Sequence, residues 1–282
     1  MKKLILLVVA FSGLAVSAQT VSKKVALTKG DQLEQVSKVT MNLTQEMMGQ
    51  TMEIVMNSTS QSLVEVKNAS NGGFEVASTL KSVLMNMNAM GQEMNFDSNK
   101  KEDLDGEMGA PYRDMLNKPS DFVLDKHGVV TEVKNKPAVK DDGNMMGSMI
   151  GGAMNEEKEG ASFSTIANIP AKGVKVGDSW SDSANADGAR TFTTYTLKEI
   201  KGNDGVVSVK GDLSMNKEME QQGMTMVMDM KGSSTGEYLF DVATGIIKSK
   251  KITTKASGNI DVMGQSVPMV MESTVESTVS KK

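Results

Sequence analysis

Residues 41–56 read MNLTQEMMGQTMEIVM, and the fold follows from the role given to Gly49. Placing Met48-Gly49 at the centre of a two-residue turn sets Met47 opposite Gln50, Gln45 opposite Met52, Leu43 opposite Ile54 and Met41 opposite Met56. Glycine supplies the positive φ that so tight a turn demands. Side chains two residues apart share one face of a strand. The apolar partners therefore fall together, and burying them fixes the register.

The triplet Met-Gly-Gln returns at 90–92 and at 263–265. The same rule at Met90-Gly91 pairs Met87 with Met94 and Met85 with Phe96, and at Met263-Gly264 it pairs Ile260 with Val267. Gln222-Gly223 lacks the triplet but keeps the geometry, opposing Met219 to Met226 and Met215 to Met230. One parity holds at all four turns, so the triplet reads as turn punctuation and not as a binding motif.

More strands follow from the same signals. The stretch 63–67 leads through Asn68-Ala69-Ser70-Asn71-Gly72-Gly73 into a strand from Phe74, and 195–201 leads through Gly202-Asn203-Asp204-Gly205 into one from Val206. Gly73 to Gly91 spans the same distance as Gly205 to Gly223, and DFVLDKHGVVTEVK from Asp121 resembles EYLFDVATGIIKSKK from Glu237. Lys29-Gly30-Asp31 is echoed by Val176-Gly177-Asp178. These echoes indicate an approximate internal duplication. The chain is expected to be mostly β: an antiparallel meander of about ten to twelve strands, longer than the usual ~5–6 residues. Strands are expected at 190–201, 206–221, 224–241, 246–262 and 265–279. Such strands twist and curl into a barrel or half-barrel. Residues 100–109 read as an acidic loop, and 141–169, glycine-rich with weak helical spacing, as a covering helix or a flap. The segment 170–176 marks the boundary between a first half, 19–169, and a second, 170–282, continuous in one domain.

The chain begins MKKLILLVVAFSGLAVSAQT, with two lysines, an apolar run over 4–16 and small residues before a cleavage point at Ala18. This reads as a secretory signal peptide, 1–18, too short to span a bilayer. An exported protein, periplasmic or extracellular and soluble, is expected. With no cysteine it has no lipid-bearing cysteine of the bacterial lipoprotein type, no disulfide and no thiolate metal ligand. The net charge of −4 is interleaved along the chain and aromatics make up 4%. Nucleic acid as a partner is thereby disfavoured, since it calls for a basic stripe and stacking rings.

No constellation for catalysis is found, and no cofactor is expected. Gly177-Asp178-Ser179 looks superficially like an esterase nucleophile block, but a serine nucleophile needs a base. The single histidine, His127, sits upstream in a turn. Asp103, Asp105 and Glu107 lack the spacing of a calcium loop and read as a solvated surface, as do Glu156, Glu157 and Glu159. Trp180 reads as a core anchor after the 170–176 segment. Methionine is the unusual entity, at 25 residues. Met224, Met226, Met228 and Met230 share one strand face and are the candidates for Cu(I) or oxidant chemistry, thioethers being soft ligands. Ligands must converge, however, and same-face residues stand almost ~7 Å apart along a strand. Methionine also fills irregular apolar space. Met41, Leu43, Ile54, Met56, Met85, Met87, Met215 and Met226 are accordingly candidates for ordinary core or for the lining of a groove that takes a hydrophobic or amphipathic ligand, such as a lipid.

The signal, the early Lys-Gly-Asp, the Met-Gly-Gln hairpins, Leu124-Asp125 followed by Gly128-Val129-Val130, and Val174-Lys175-Val176-Gly177-Asp178-Ser179-Trp180 together resemble an uncharacterised domain-of-unknown-function family of exported bacterial β-proteins. The likeness runs over almost the whole mature chain and implies no activity. A looser, architectural likeness is to LolA-type periplasmic lipoprotein carriers, curved half-barrels with an apolar cavity. The functional expectations are a non-enzymatic binder of a hydrophobic ligand, a Met-based Cu(I) or oxidant buffer, or a structural, envelope-associated interaction protein.

Overall fold

A computed structural model describes residues 20–137 and 157–282, apart from the turn residues 48, 187, 222, 223 and 263. The expected signal peptide lies outside these residues, as does 141–156 of the expected helix or flap.

Long strands dominate. The first half holds β1 (Thr20–Val21), β2 (Gln32–Met47), β3 (Gln50–Ser70), β4 (Gly73–Ala89) and β5 (Gln92–Asp97), then α1 (Lys101–Asp105), α2 (Ala110–Arg113), β6 (Pro119–Asp125) and β7 (Val130–Asn135). The second holds β8 (Val174–Lys175), β9 (Ser179–Ala186), β10 (Ala189–Lys201), β11 (Asp204–Gln221), β12 (Met224–Asp241), β13 (Ile247–Val262) and β14 (Gln265–Lys281). Twelve strands form one antiparallel sheet in the order β7-β6-β4-β3-β2-β14-β13-β12-β11-β10-β9, with β5 also on β4, while β1 and β8 pair separately. No pairing joins β7 to β9, so the sheet is not closed into a barrel.

Every hairpin pair set by the glycine rule is present. Met41 faces Met56 and Leu43 faces Ile54, Met85 faces Phe96, Met215 faces Met230 and Ile260 faces Val267. Met90 and Gly91 have φ of 56° and 80°, the two positive values that a type I′ hairpin turn requires.

The two halves use the pattern differently. β12 is one strand running the length of β11. The equivalent side of β4 is shared by β5 on residues 84–89 and β6 on residues 73–79, because a helical insertion interrupts it. Where an acidic loop was expected, α1, a 3-10 turn (Glu107–Gly109) and α2 form. Arg113 holds them together, its guanidinium donating to the carbonyls of Leu104 (2.7 Å), Asp105 (2.9 Å) and Gly106 (2.7 Å) at the end of α1. A cation is favourable at that helix end. Tyr112 then stacks on Phe96 at 5.1 Å over Val83 and Met85, and burial pushes its hydroxyl up to about 12.

Alternation gives the sheet a core face and a solvent face. At one end of the core face, Leu33, Val64, Phe74, Phe122 and Leu124 form one buried cluster, and Leu197, Val207, Tyr238, Phe240 and Ile247 another. Two irregular straps cross this end. The described part of the segment expected to be a helix or flap, 157–169, is one of them and contains no helix. It buries Phe163 and Ile166 in the first cluster and Ala167 and Ile169 in the second. Its backbone bonds run from Phe163 N to Gly128 O (2.9 Å) and from Ala167 N to Gly245 O (2.9 Å). The strap thereby links the β6–β7 turn to the β12–β13 turn. Residues 22–31 form the second strap, with Ala26 N donating to Thr244 O at 3.0 Å. The solvent face carries polar cross-strand pairs such as Thr40 with Asn57 (3.1 Å) and Lys251 with Glu276 (2.7 Å).

Candidate functional site: the methionine rows of the core face

Beyond the strapped end, the core face is built of methionine and aliphatic side chains aligned across strands. Met41 on β2, Met56 on β3, Met87 on β4 and Met94 on β5 stand in one row. The next row holds Met271, Leu43, Ile54 and Ala89. A third runs Met215, Met230, Gly258, Met269, Gln45 and Met52 across β11, β12, β13, β14, β2 and β3. Within it Gln45 Nε2 donates to Met269 Sδ at 3.5 Å, so even the amide in the row serves a thioether. The rows arise from the turns: each glycine fixes a register, and the registers agree from strand to strand.

All eight expected groove residues lie on this face. Met41, Leu43, Met85, Met87 and Met226 are buried, while Ile54, Met56 and Met215 are half-buried. Leu43, Ile54, Met215 and Met226 pack in one cluster with Met228, Met230, Ile260 and Met269. Met56 and Met85 pack in another, under Tyr112. Of the Cu(I) candidates, Met226, Met228 and Met230 are successive buried residues of the same face. The side chain of Met224 is outside the described residues. A groove on the solvent face, about 280 Å³ and lined by Thr51, Glu53, Val55, Asn88, Met90 and Gly91, is unrelated to these rows.

The hydrolase-like fragments are not assembled. Ser179 Oγ lies 2.8 Å from Thr196 Oγ1 on β10 and is exposed. His127, in the β6–β7 turn, places Nδ1 3.4 Å from the Lys23 carbonyl. Asp103 accepts from the Asp97 backbone N–H at 2.9 Å, and among the described residues no group of three His, Cys, Asp or Glu side chains could hold a metal ion. Trp180 anchors the far edge: its ring stacks on Tyr195 at 5.7 Å and its Nε1 donates to the Asn168 carbonyl at 2.7 Å.

The straps bring together groups that sequence reasoning did not connect. Lys23 donates to Ser162 Oγ at 3.1 Å. Burial lowers its pKa, opposed by Asp125 on β6 and Asp182 on β9. The 22–31 strap thus sets one ammonium in the field of carboxylates from β6 and β9, strands near opposite ends of the sheet order. Burial raises the Tyr238 hydroxyl strongly. Nothing in spacing or composition pointed to this junction, because its partners are far apart in the chain and one of them lies in an irregular strap.

The fold and this face define a class of open antiparallel β-sheets with one apolar face. Within that class, the chain belongs to the family of unknown function DUF6263, whose model matches residues 71–247. No curated protein matches the chain. Among solved structures it is similar to lipovitellin, in a structure concerned with lipid–protein interactions, at TM-score 0.54 and 12% identity, over 90% of this chain and 25% of that one. The chain thus spans a quarter of that relative, and the likeness is one of fold. An outer-membrane channel of Pseudomonas putida F1 matches at TM-score 0.22 and 8% identity, over 91% of this chain and 97% of that one, too weakly to carry an argument. Among the described residues no helix is long and apolar enough to cross a membrane.

Proposed function

We propose that this is an exported, non-enzymatic protein that holds a hydrophobic or amphipathic ligand, such as a lipid, against the methionine rows of its core face. The observation that carries the reading is the continuity of those rows across adjacent strands of an open sheet. Methionine suits such a surface because its unbranched, polarisable side chain adapts to varied apolar shapes. The fold likeness to lipovitellin, a protein studied for its lipid interactions, supports the reading at the level of architecture. Native mass spectrometry after mild purification, followed by solvent extraction, tests it: co-purifying lipid is the expected result. A ligand-free protein that takes up no added amphiphile would overturn it.

A second reading, Cu(I) binding or oxidant buffering, is favoured by the succession of Met226, Met228 and Met230 on one face. Their neighbours Leu43, Ala256 and Ile260 favour apolar packing instead. Anaerobic Cu(I) titration separates the two readings.

A further inference from the structure

We infer that the ligand on the methionine rows is an amphiphile with an anionic head, and that Lys217 receives that head. The inference rests on the reading above and adds the ligand's charge and the residue that selects it. On β11 the core-face positions run Leu213, Met215, Lys217, and Lys217 pairs with Met228. A half-buried lysine therefore stands where the pattern of the face demands an apolar residue. Its methylene stem can lie along the neighbouring thioethers while the ammonium reaches the rim. The position lies towards the β11–β12 turn, at the end of the sheet away from the straps at Gly128 and Gly245.

The distribution of acid residues agrees. On the central strands β2–β4 and β11–β14, the described carboxylates fall on the solvent face. Glu53 and Glu65 face away from Ile54 and Val64 on β3, Asp229 and Glu237 from Met230 and Tyr238 on β12, and Glu272 and Glu276 from Met271 and Val275 on β14. The other charges on the core face have partners. Lys281 bonds Asp31 at 2.7 Å, Asp182 on the β9 edge accepts from Asn168 at 3.4 Å and lies near Lys23, and Lys250, beside Tyr238 and Ser277, is engaged in an interaction of its own. A chain of net charge −4 thus keeps the described carboxylates of its central strands off the apolar floor and sets a cation within it. That arrangement spares an anionic head from like-charge repulsion and offers it a charge-assisted hydrogen bond. A cationic amphiphile finds no such partner there.

Calorimetric titration of delipidated full-length protein with sodium palmitate, and with the uncharged monoacylglycerol of the same chain, tests this in the wild type, Lys217→Met and Lys217→Arg. Lys217→Met should weaken palmitate binding about tenfold and leave the neutral lipid unchanged, while Lys217→Arg retains palmitate. Equal loss for both lipids, or none for palmitate, overturns the inference and leaves the binding site standing. If the wild type binds neither lipid, the binding reading itself fails.

Discussion

Gly245 and Gly264 are both turn glycines with positive φ, 73° and 79°, and alanine should be far worse tolerated at the first. The left-handed backbone costs an L-residue roughly 1–2 kcal/mol at either position. A Cβ at Gly264 meets nothing within 4 Å, whereas at Gly245 it would lie 2.2 Å from the carbonyl oxygen of Lys24. That oxygen is backbone, so relief requires the 22–31 strap to move. Two bonds are then at risk, from Ala26 N to Thr244 O at 3.0 Å and from Ala167 N to Gly245 O at 2.9 Å. A backbone hydrogen bond contributes about 0.5–1.5 kcal/mol, and more when its loss leaves a buried group unpaired. Gly245→Ala should therefore cost about 2–5 kcal/mol, against about 1–2 for Gly264→Ala. Urea unfolding followed by circular dichroism measures both. If the two variants agree within about 0.5 kcal/mol, the margin within which independent sites add, the straps do not hold the β12–β13 turn.

Phe163→Ala, which empties a fully buried site edge-on to Phe122 at 5.6 Å, should lower stability by about 3–5 kcal/mol in the same assay; a loss below about 1 kcal/mol would mean that the strap is not anchored there. Asp241 is partly buried, which opposes ionisation, but the Thr244 N–H and hydroxyl, Lys248 and Asn203 together hold its carboxyl below the ordinary 3.8. Its contribution is thus complete above that value and lost as pH falls through the lowered native one. Unfolding at a series of acidic pH values should show Asp241→Asn less stable than wild type near neutrality, with the gap closing below pH 3.8; a gap constant with pH contradicts the assignment. Changing Met226, Met228 and Met230 together to leucine conserves volume and should cost less than about 1.5 kcal/mol at each position. Lipid uptake should persist, and a fall in Cu(I) stoichiometry would favour the metal reading instead.

Much of the sheet was legible because its determinants are local. A glycine at each tight turn and one apolar parity on either side specify the register, and the strands expected from residue 190 onward match β10 to β14 closely. The eight groove candidates share a face for the same reason. The straps were not legible. Phe163, Ile166 and Ile169 follow neither a two-residue nor a 3.6-residue period, and their backbone partners lie in distant turns. The insertion between β5 and β6 was misread as a loop, since helices of 5 and 4 residues are too short to show a period and depend on Arg113 and Tyr112 for support. The parity that placed Met215 on the core face also placed Lys217 there. Its role depends on the neighbouring strands, which keep their described carboxylates on the other side, a property of the assembled sheet and not of any one strand.

The seam between β2 and β14 sets an order of events. Leu33 lies opposite Lys281 and Gln45 opposite Met269, so the last strand of the chain is the keystone of the sheet and lies near its middle. Until β14 enters, β2 and β13 each present an unpaired edge, the kind of surface that recruits other chains. Pairing so distant in sequence also makes for slow folding. A chain shortened by its final strand would therefore expose two central edges at once and self-associate, whereas fraying at β7 or β9 would leave the middle of the sheet intact.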